Sequence, residues 1–397
     1  MKIAIISDWY SENMGYAENF LPKALGRLGH EVHLLTSNFQ VYANSPSYEQ
    51  TYRSKLGDRQ VAEGIWNKEF FTLHRLRGRI SPLGVHVDGL AFLLRQLKPD
   101  IVYCFEINSP ATGVAARHRK GIGYRLFCES RLHGSVFPPP SDILSRMKLW
   151  LKNSLVGVAA VIDNVELFYP IAPDVQRIIT RYFGVPKDKC SLSSLAVETD
   201  IFSPKRDAAK VNAFRSRLGL SEGDLVCVYT GRFTPEKGPL VLAKAVDLLH
   251  RQGNEEIRGL FVGDGEEAYR NQISECSGCI IHPFVKPAEL ANIFHSADIG
   301  VWPLQESTSQ LDAMACGLPI IVNDTVEDGM RLGECSLTYK KDDPEDLASR
   351  ILELRDRDRR AAMGRIAAAR IADHGSWDAL ARRRVYDFEV ARTTVAA

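Results

Sequence analysis

Two cations five residues apart carry the clearest chemistry in this chain. Arg232 and Lys237 stand in G-R-F-T-P-E-K-G at 231–238, directly after an apolar run at 225–230. A guanidinium grips phosphate oxygens two at a time, and an ammonium neutralises them as a point charge. At a strand end that leads into a helix, the pair suits a diphosphate; otherwise both are solvated surface cations beside Glu236. A second stretch, V-W-P-L-Q-E-S-T-S-Q-L-D-A-M-A-C-G-L-P-I-I-V at 301–322, reads as a strand, a polar loop, a helix and another strand. Its helix entrance offers unpaired N–H groups and a positive dipole end. Asp312 lies in the first helical turns and Glu306 in the loop before them. The plainer alternative is an ordinary strand–helix unit with a solvated loop.

Other polar residues follow apolar runs in the same way. Gly263 sits in G-D-G-E-E at 263–267, although a single G-x-G is weak evidence. His133 closes C-E-S-R-L-H at 128–133, where a ring nitrogen could donate to a substrate oxygen. Glu106 and Asn108 follow the run at 100–104, and Gly15 precedes a helix that begins near residue 17. Neither G-x-G-x-x-G nor G-x-x-x-x-G-K-[ST] occurs, which removes the main support for a nicotinamide dinucleotide or a P-loop nucleotide. Cys276 and Cys279 form a lone C-x-x-C without a second pair, so a zinc reading fails.

The elements that must position these residues alternate along the chain. Strands are expected at 3–7, 31–36, 100–104, 124–128 and 159–162, with helical stretches between them. Residues 37–68 read as a long polar loop. After a linker-like stretch at 199–208 the alternation restarts, with strands at 225–230, 259–262, 279–282, 299–302 and 320–322. Helices at 239–251, 267–276 and 288–297 separate them, and 344–390 is helical and charged. Apolar strands joined by helices imply parallel sheets covered on both faces. The fold class is therefore α/β, with two Rossmann-like doubly wound domains at 1–198 and 199–375, and a C-terminal helix at 376–397 returning to the first. In such a pair the ligand belongs at the carboxyl ends of the strands, in a cleft between the domains.

At 397 residues the chain exceeds one ordinary core. Its 45% hydrophobic and 25% charged content is that of a globular protein, and its net charge of +1 argues against a dedicated nucleic-acid binder. Residues 1–200 carry 24 basic against 19 acidic side chains, and the remainder 26 against 30. The basic half contains S-D-I-L-S-R-M-K-L-W-L-K-N-S-L-V at 141–156, with Leu144, Met147, Leu151 and Leu155 at helical spacing among Arg146, Lys148 and Lys152. This helix either packs on the first domain or lies on an anionic bilayer. No run approaches the roughly 20 apolar residues of a membrane span, and the start is too short for a signal peptide. The expected setting is the cytoplasm, with or without peripheral contact at the inner face of the plasma membrane.

Taken together, these motifs resemble the retaining glycosyltransferases of the two-domain GT-B type, glycosyltransferase family 4 (glycosyl transferases group 1). The resemblance rests on G-R-F-T-P-E-K-G at 231–238, V-G-D-G at 262–265, A-D-I-G-V-W-P at 297–303 and L-D-A-M-A-C-G-L-P-I-I-V at 311–322. It implies transfer of a sugar from a nucleotide-diphosphate donor, UDP- or GDP-linked, to a hydroxyl acceptor with retention, in surface polysaccharide or glycolipid synthesis. It also implies that Arg232 and Lys237 hold the diphosphate, that Asp312 holds the ribose hydroxyls as the second acid of an E-x7-E motif, and that His133 lies near the donor sugar. Gly15 falls in the first-strand loop next to the diphosphate and sugar, Gly263 among the donor-binding residues, and Phe284 and Val285 where the backbone meets the base. No cofactor or metal is expected, the two cations standing in for one.

The chain departs from that pattern at one place. Leu304, not glutamate, stands eight residues before Asp312, and Ser307, Thr308 and Ser309 replace a glycine–aromatic–glycine loop. Either Glu306 serves as the first acid in a shortened loop, or that acid is lost and the hydroxyls of Ser307 and Ser309 help bind phosphate or sugar. Two alternatives stay open beside transfer: a non-catalytic sugar-nucleotide-binding homologue, and a GT-B sugar-nucleotide epimerase.

Overall fold

The computed structural model describes all residues except 13, 47, 135–136, 194, 305–306 and 394–397, and the side chains at 50, 51, 288 and 391–393. The chain forms two compact units, Met1–Ser194 with Ala381–Ala397, and Leu195–Leu380.

The first unit is built on strands β1 (Lys2–Ser7), β2 (Glu31–Ser37), β3 (Gly64–Asn67), β4 (Thr72–Leu76), β5 (Gly78–Ser81), β6 (Gly84–Val87), β7 (Ile101–Phe105), β8 (Arg125–Ser130) and β9 (Val165–Pro170). Seven of them form one sheet in the order β3-β4-β2-β1-β7-β8-β9. All neighbours are parallel except the edge strand β3, and β5 and β6 make a separate antiparallel hairpin. Every residue of β7 is buried, the continuous apolar pattern of a strand covered on both faces. The order reverses between β1 and β7, so the carboxyl ends of those two strands mark the switch point of this sheet. Ser109 caps the helix Pro110–Ile122 by accepting the N–H groups of Ala111 and Thr112, Pro110 takes the first helical position, and Gly123 ends the helix in a left-handed conformation.

The second unit contains β10 (Leu225–Phe233), β11 (Ile257–Gly265), β12 (Cys279–His282), β13 (Ile299–Trp302), β14 (Ile320–Asn323) and β15 (Ser336–Tyr339). They form one sheet in the order β12-β11-β10-β13-β14-β15, parallel throughout. Its switch point lies between β10 and β13. The helix Pro239–Arg251 buries Leu242, Ala243, Val246 and Leu249 at helical spacing against this sheet.

Several expectations need correction. Residues 159–162 belong to the helix Val158–Asn164, and the strand follows at β9. A short apolar run does not by itself distinguish a buried helix from a strand. Residues 37–68 are also less irregular than their composition suggests, holding the short helices Tyr48–Thr51 and Arg53–Leu56 and the strand β3.

Candidate functional site

In the second unit the candidate residues gather at the carboxyl edge of the sheet. β10 and β11 run in register to their ends, pairing Gly231 with Gly263, Arg232 with Asp264 and Phe233 with Gly265. A Cβ on Gly263 would run into the carbonyl oxygen of Gly231, so glycine is what lets the pairing continue to the strand ends. This extension carries Arg232 out of the buried sheet into solvent. The next turn, in which Thr234 O accepts the N–H groups of Lys237 and Gly238 at 3.1 and 3.0 Å, leads into the helix Pro239–Arg251. Lys237 is half-buried, and burial together with the neighbouring Arg232 holds its amine below the usual lysine range. Among the described residues neither cation has an ion-pair partner. Phe284, exposed, and Val285, half-buried, sit in the loop after the edge strand β12.

The loop after β13 is fastened from three sides. Asn323 donates to the carbonyls of Pro303 and Leu304 at 3.0 and 3.3 Å, and the Tyr339 hydroxyl also donates to Pro303 O, at 2.7 Å. Arg331 donates to Ser307 O at 3.2 Å and to the Gln310 carboxamide at 2.6 Å, and it pairs with Asp328. Ser307 caps the helix Thr308–Ala315, its hydroxyl accepting from Ser309 N–H, while Gln310 accepts from Ser307 N–H in return. Thr308 and Ser309 thus form the first turn of the helix, and Asp312 follows one turn on. Burial pushes the Asp312 carboxyl up to about 8, with no cation contributing. Leu304 packs over Gly238, next to Lys237, so the position eight residues before Asp312 presents an apolar side chain to the start of the helix Pro239–Arg251. Glu306 lies outside the described residues. Sequence reasoning missed Gln310, Asn323 and Arg331. Their signal was a buried amide and a buried guanidinium near the motif, visible only once the loops are folded against each other.

The first unit holds a second polar edge at the ends of β1, β7 and β8. Gly15 takes a left-handed φ of +75° ahead of the helix Ala17–Arg27. Ser109 donates to Asp8 at 2.6 Å. Glu106, at a φ of +69°, accepts from the Ser130 hydroxyl and the Arg131 N–H at 3.0 and 2.8 Å. Burial pushes both Asp8 and Glu106 up to about 7; the Ser109 hydrogen bond opposes the shift at Asp8, and the Arg131 charge opposes it at Glu106. Arg131 bridges Glu129 at 2.9 Å and Glu18 at 3.1 Å. Tyr103 donates to Glu129 at 2.7 Å, and the buried Arg384 of the helix Trp377–Thr393 donates to Tyr103 at 3.2 Å. His133 follows in the same loop, half-buried, with its backbone N–H on Arg131 O. Asp8 directly follows the apolar strand β1, and the fold makes it part of this edge.

Comparison with known structures defines the class. The chain superposes on HepE from Anabaena in complex with UDP (TM-score 0.64, 16% identity, 100% of both chains). It also superposes on a glycosyltransferase from Rickettsia africae (0.68, 14%, 98% and 97%) and on sucrose-phosphate synthase from Thermosynechococcus elongatus (0.66, 17%, 100% of both). The fold is GT-B, two Rossmann-like domains in one chain. Within it, residues 224–357 match the family model described as Glycosyl transferases group 1. Among curated proteins the chain is similar to the D-inositol 3-phosphate glycosyltransferases of Thermomonospora curvata (26% identity, 61% of each chain) and Corynebacterium jeikeium (28%, 56% of each). It spans about half the length of the curated relatives it matches.

Proposed function

We propose that the protein is a retaining glycosyltransferase, moving a sugar from a nucleotide-diphosphate donor to a hydroxyl acceptor in the synthesis of a surface polysaccharide or glycolipid. The observation that carries this reading is the pair Arg232 and Lys237 at the switch point of the second sheet, where Lys237 is desolvated beside another cation. A diphosphate relieves both charges at once. As the anomeric bond breaks, charge builds on the departing phosphate, and cations already in place stabilise it without reorganising. Asp312 accepts the ribose hydroxyls, and the hydroxyls of Ser307 and Ser309 help bind phosphate or sugar. In this reading attack comes from the face the diphosphate leaves, with a phosphate oxygen taking the acceptor proton. The solved complexes of HepE with UDP and UDP-glucose make a uridine donor the first to try. The names of the curated relatives make a phosphorylated polyol the first acceptor.

The same reading includes peripheral contact with an anionic membrane. On the helix Ile143–Val156, residues Ile143, Leu144, Met147, Trp150, Leu151 and Leu155 are all more than half exposed. At 100° per residue they share an arc of about 140°, with Arg146 on one flank and Lys148 and Lys152 on the other. Among the described residues no helix is long and apolar enough to cross a membrane.

One observation favours a second reading, a sugar-nucleotide-binding protein without turnover: the apolar Leu304 against Gly238, where the family pattern has an acid. Donor hydrolysis or transfer separates the two. Lys237→Ala should lower turnover by about 100-fold or more. Unchanged turnover in that variant removes the diphosphate assignment, and donor binding without turnover over a panel of acceptors favours the second reading.

A further inference from the structure

A cavity of about 450 Å³ opens in the first unit. Its wall combines the segments that follow β1 and β2, the strands β3 and β4, and the helix Arg53–Leu56 with the segment after it. Three cationic side chains line it, Lys55, Lys68 and Arg75, against one carboxylate, Glu12. Glu12 is engaged by Lys68 at 2.6 Å.

Arg75 is the unusual member. It is 6% exposed, and its buried Nη1 has no hydrogen-bond partner among the described residues. The Tyr10 ring lies 5.2 Å from the guanidinium carbon. Burial holds its pKa below the usual arginine range, while Tyr10 and Glu12 pull it back. A guanidinium stays charged at any physiological pH, and leaving one buried with an open N–H fork is costly. Strand β4 would bury an apolar residue here at no such cost. The fork geometry matches two oxygens of a phosphate. The cavity is far larger than a phosphate ion alone, and Leu56, Val61, Trp66 and Leu73 give it an apolar side.

We propose that this cavity binds a small molecule carrying a phosphate group, with the Arg75 guanidinium gripping the phosphate, Lys55 and Lys68 adding charge at the rim, and Trp66 covering the organic body. This site belongs to the first unit and the Arg232 and Lys237 edge to the second, and the proposal stands whether or not the protein transfers sugar.

The test is calorimetry on the full chain with three probes: inorganic phosphate, glucose 6-phosphate and glucose. Both phosphate probes should bind and glucose should not. Arg75→Gln should weaken phosphate binding at least tenfold, Lys55→Gln severalfold, and Lys237→Ala should leave this binding in place. Absence of phosphate binding to the native protein overturns the proposal. So does equal affinity in Arg75→Gln, or loss of binding in Lys237→Ala alone. If Arg75→Gln does not fold, unchanged affinity in a folded Lys55→Gln protein overturns it as well.

Discussion

At the scale of single residues, three carboxyls titrate far from their ordinary range, and each makes a measurable claim. Asp312, pushed up to about 8 by burial, is mostly protonated at neutral pH. In the proposed role, accepting ribose hydroxyls favours the ionised form, so binding must expel the proton below pH 8. Nucleoside diphosphate affinity should therefore tighten about tenfold between pH 7 and pH 9. Asp312→Asn should bind more weakly at high pH and lose that part of the dependence. The depressed amine of Lys237 works in the opposite direction in both proteins, so the difference between them isolates the carboxyl. Calorimetry at the two pH values reads it, and parallel pH curves would remove Asp312 from the ribose. Asp8 and Glu106, both near 7 in the folded chain, bear on stability instead. Their folded pKa values lie above the unfolded ones, so the stability they contribute is full below about pH 4 and is lost as pH rises through 7. Asp8→Asn mimics the protonated form. Its melting temperature relative to the native protein should climb as pH goes from 5 to 8, and a constant gap would contradict the buried neutral acid.

Among elements, the close approach of β10 and β11 is the most exacting. Gly263→Ala places a methyl where the Gly231 carbonyl lies, and the strands must part to admit it. The second unit should lose about 3 kcal/mol, a fall in melting temperature of about 6–12 °C by calorimetry. Full stability in that variant would mean that the two strand ends are not held together. This contact also shows where sequence reading stops. The apolar cores of β1, β7, β10, β13 and β14 were legible, because strands buried on both faces must be apolar throughout. β4 and β15 were not, since polar residues such as His74, Arg75 and Thr338 interrupt them and their burial depends on partners far along the chain. The extra residues at the ends of β10 and β11 were hidden for a related reason: glycine, arginine and aspartate read as a turn, and only pairing of the two strands makes them sheet. Of the candidate site, the sequence singled out Arg232, Lys237 and Asp312 because they carry charge inside a recognisable motif. Gln310, Asn323 and Arg331 act by holding a loop, a role that spacing does not encode.

For the molecule as a whole, the exposed apolar face of the helix Ile143–Val156 makes the proposed membrane contact testable. Sedimentation with phosphatidylglycerol vesicles should capture the protein, and capture should weaken with added salt and with phosphatidylcholine in place of the anionic lipid. Trp150→Glu with Leu151→Glu should abolish it; a protein that ignores anionic vesicles has no such contact. The covalent path between the two units has a consequence of another kind. The first unit is written in two pieces, with the whole of the second between them. Arg384, which the first unit buries on Tyr103 and against the Tyr169 ring at 3.5 Å, is added to the chain 281 residues after Tyr103. During synthesis the second unit is therefore complete while the first still lacks this cation, and the Tyr103 and Glu129 pair waits without it. Translation imposes an order on this protein, later half before earlier, and the growing chain carries an unfinished polar core through most of its time on the ribosome.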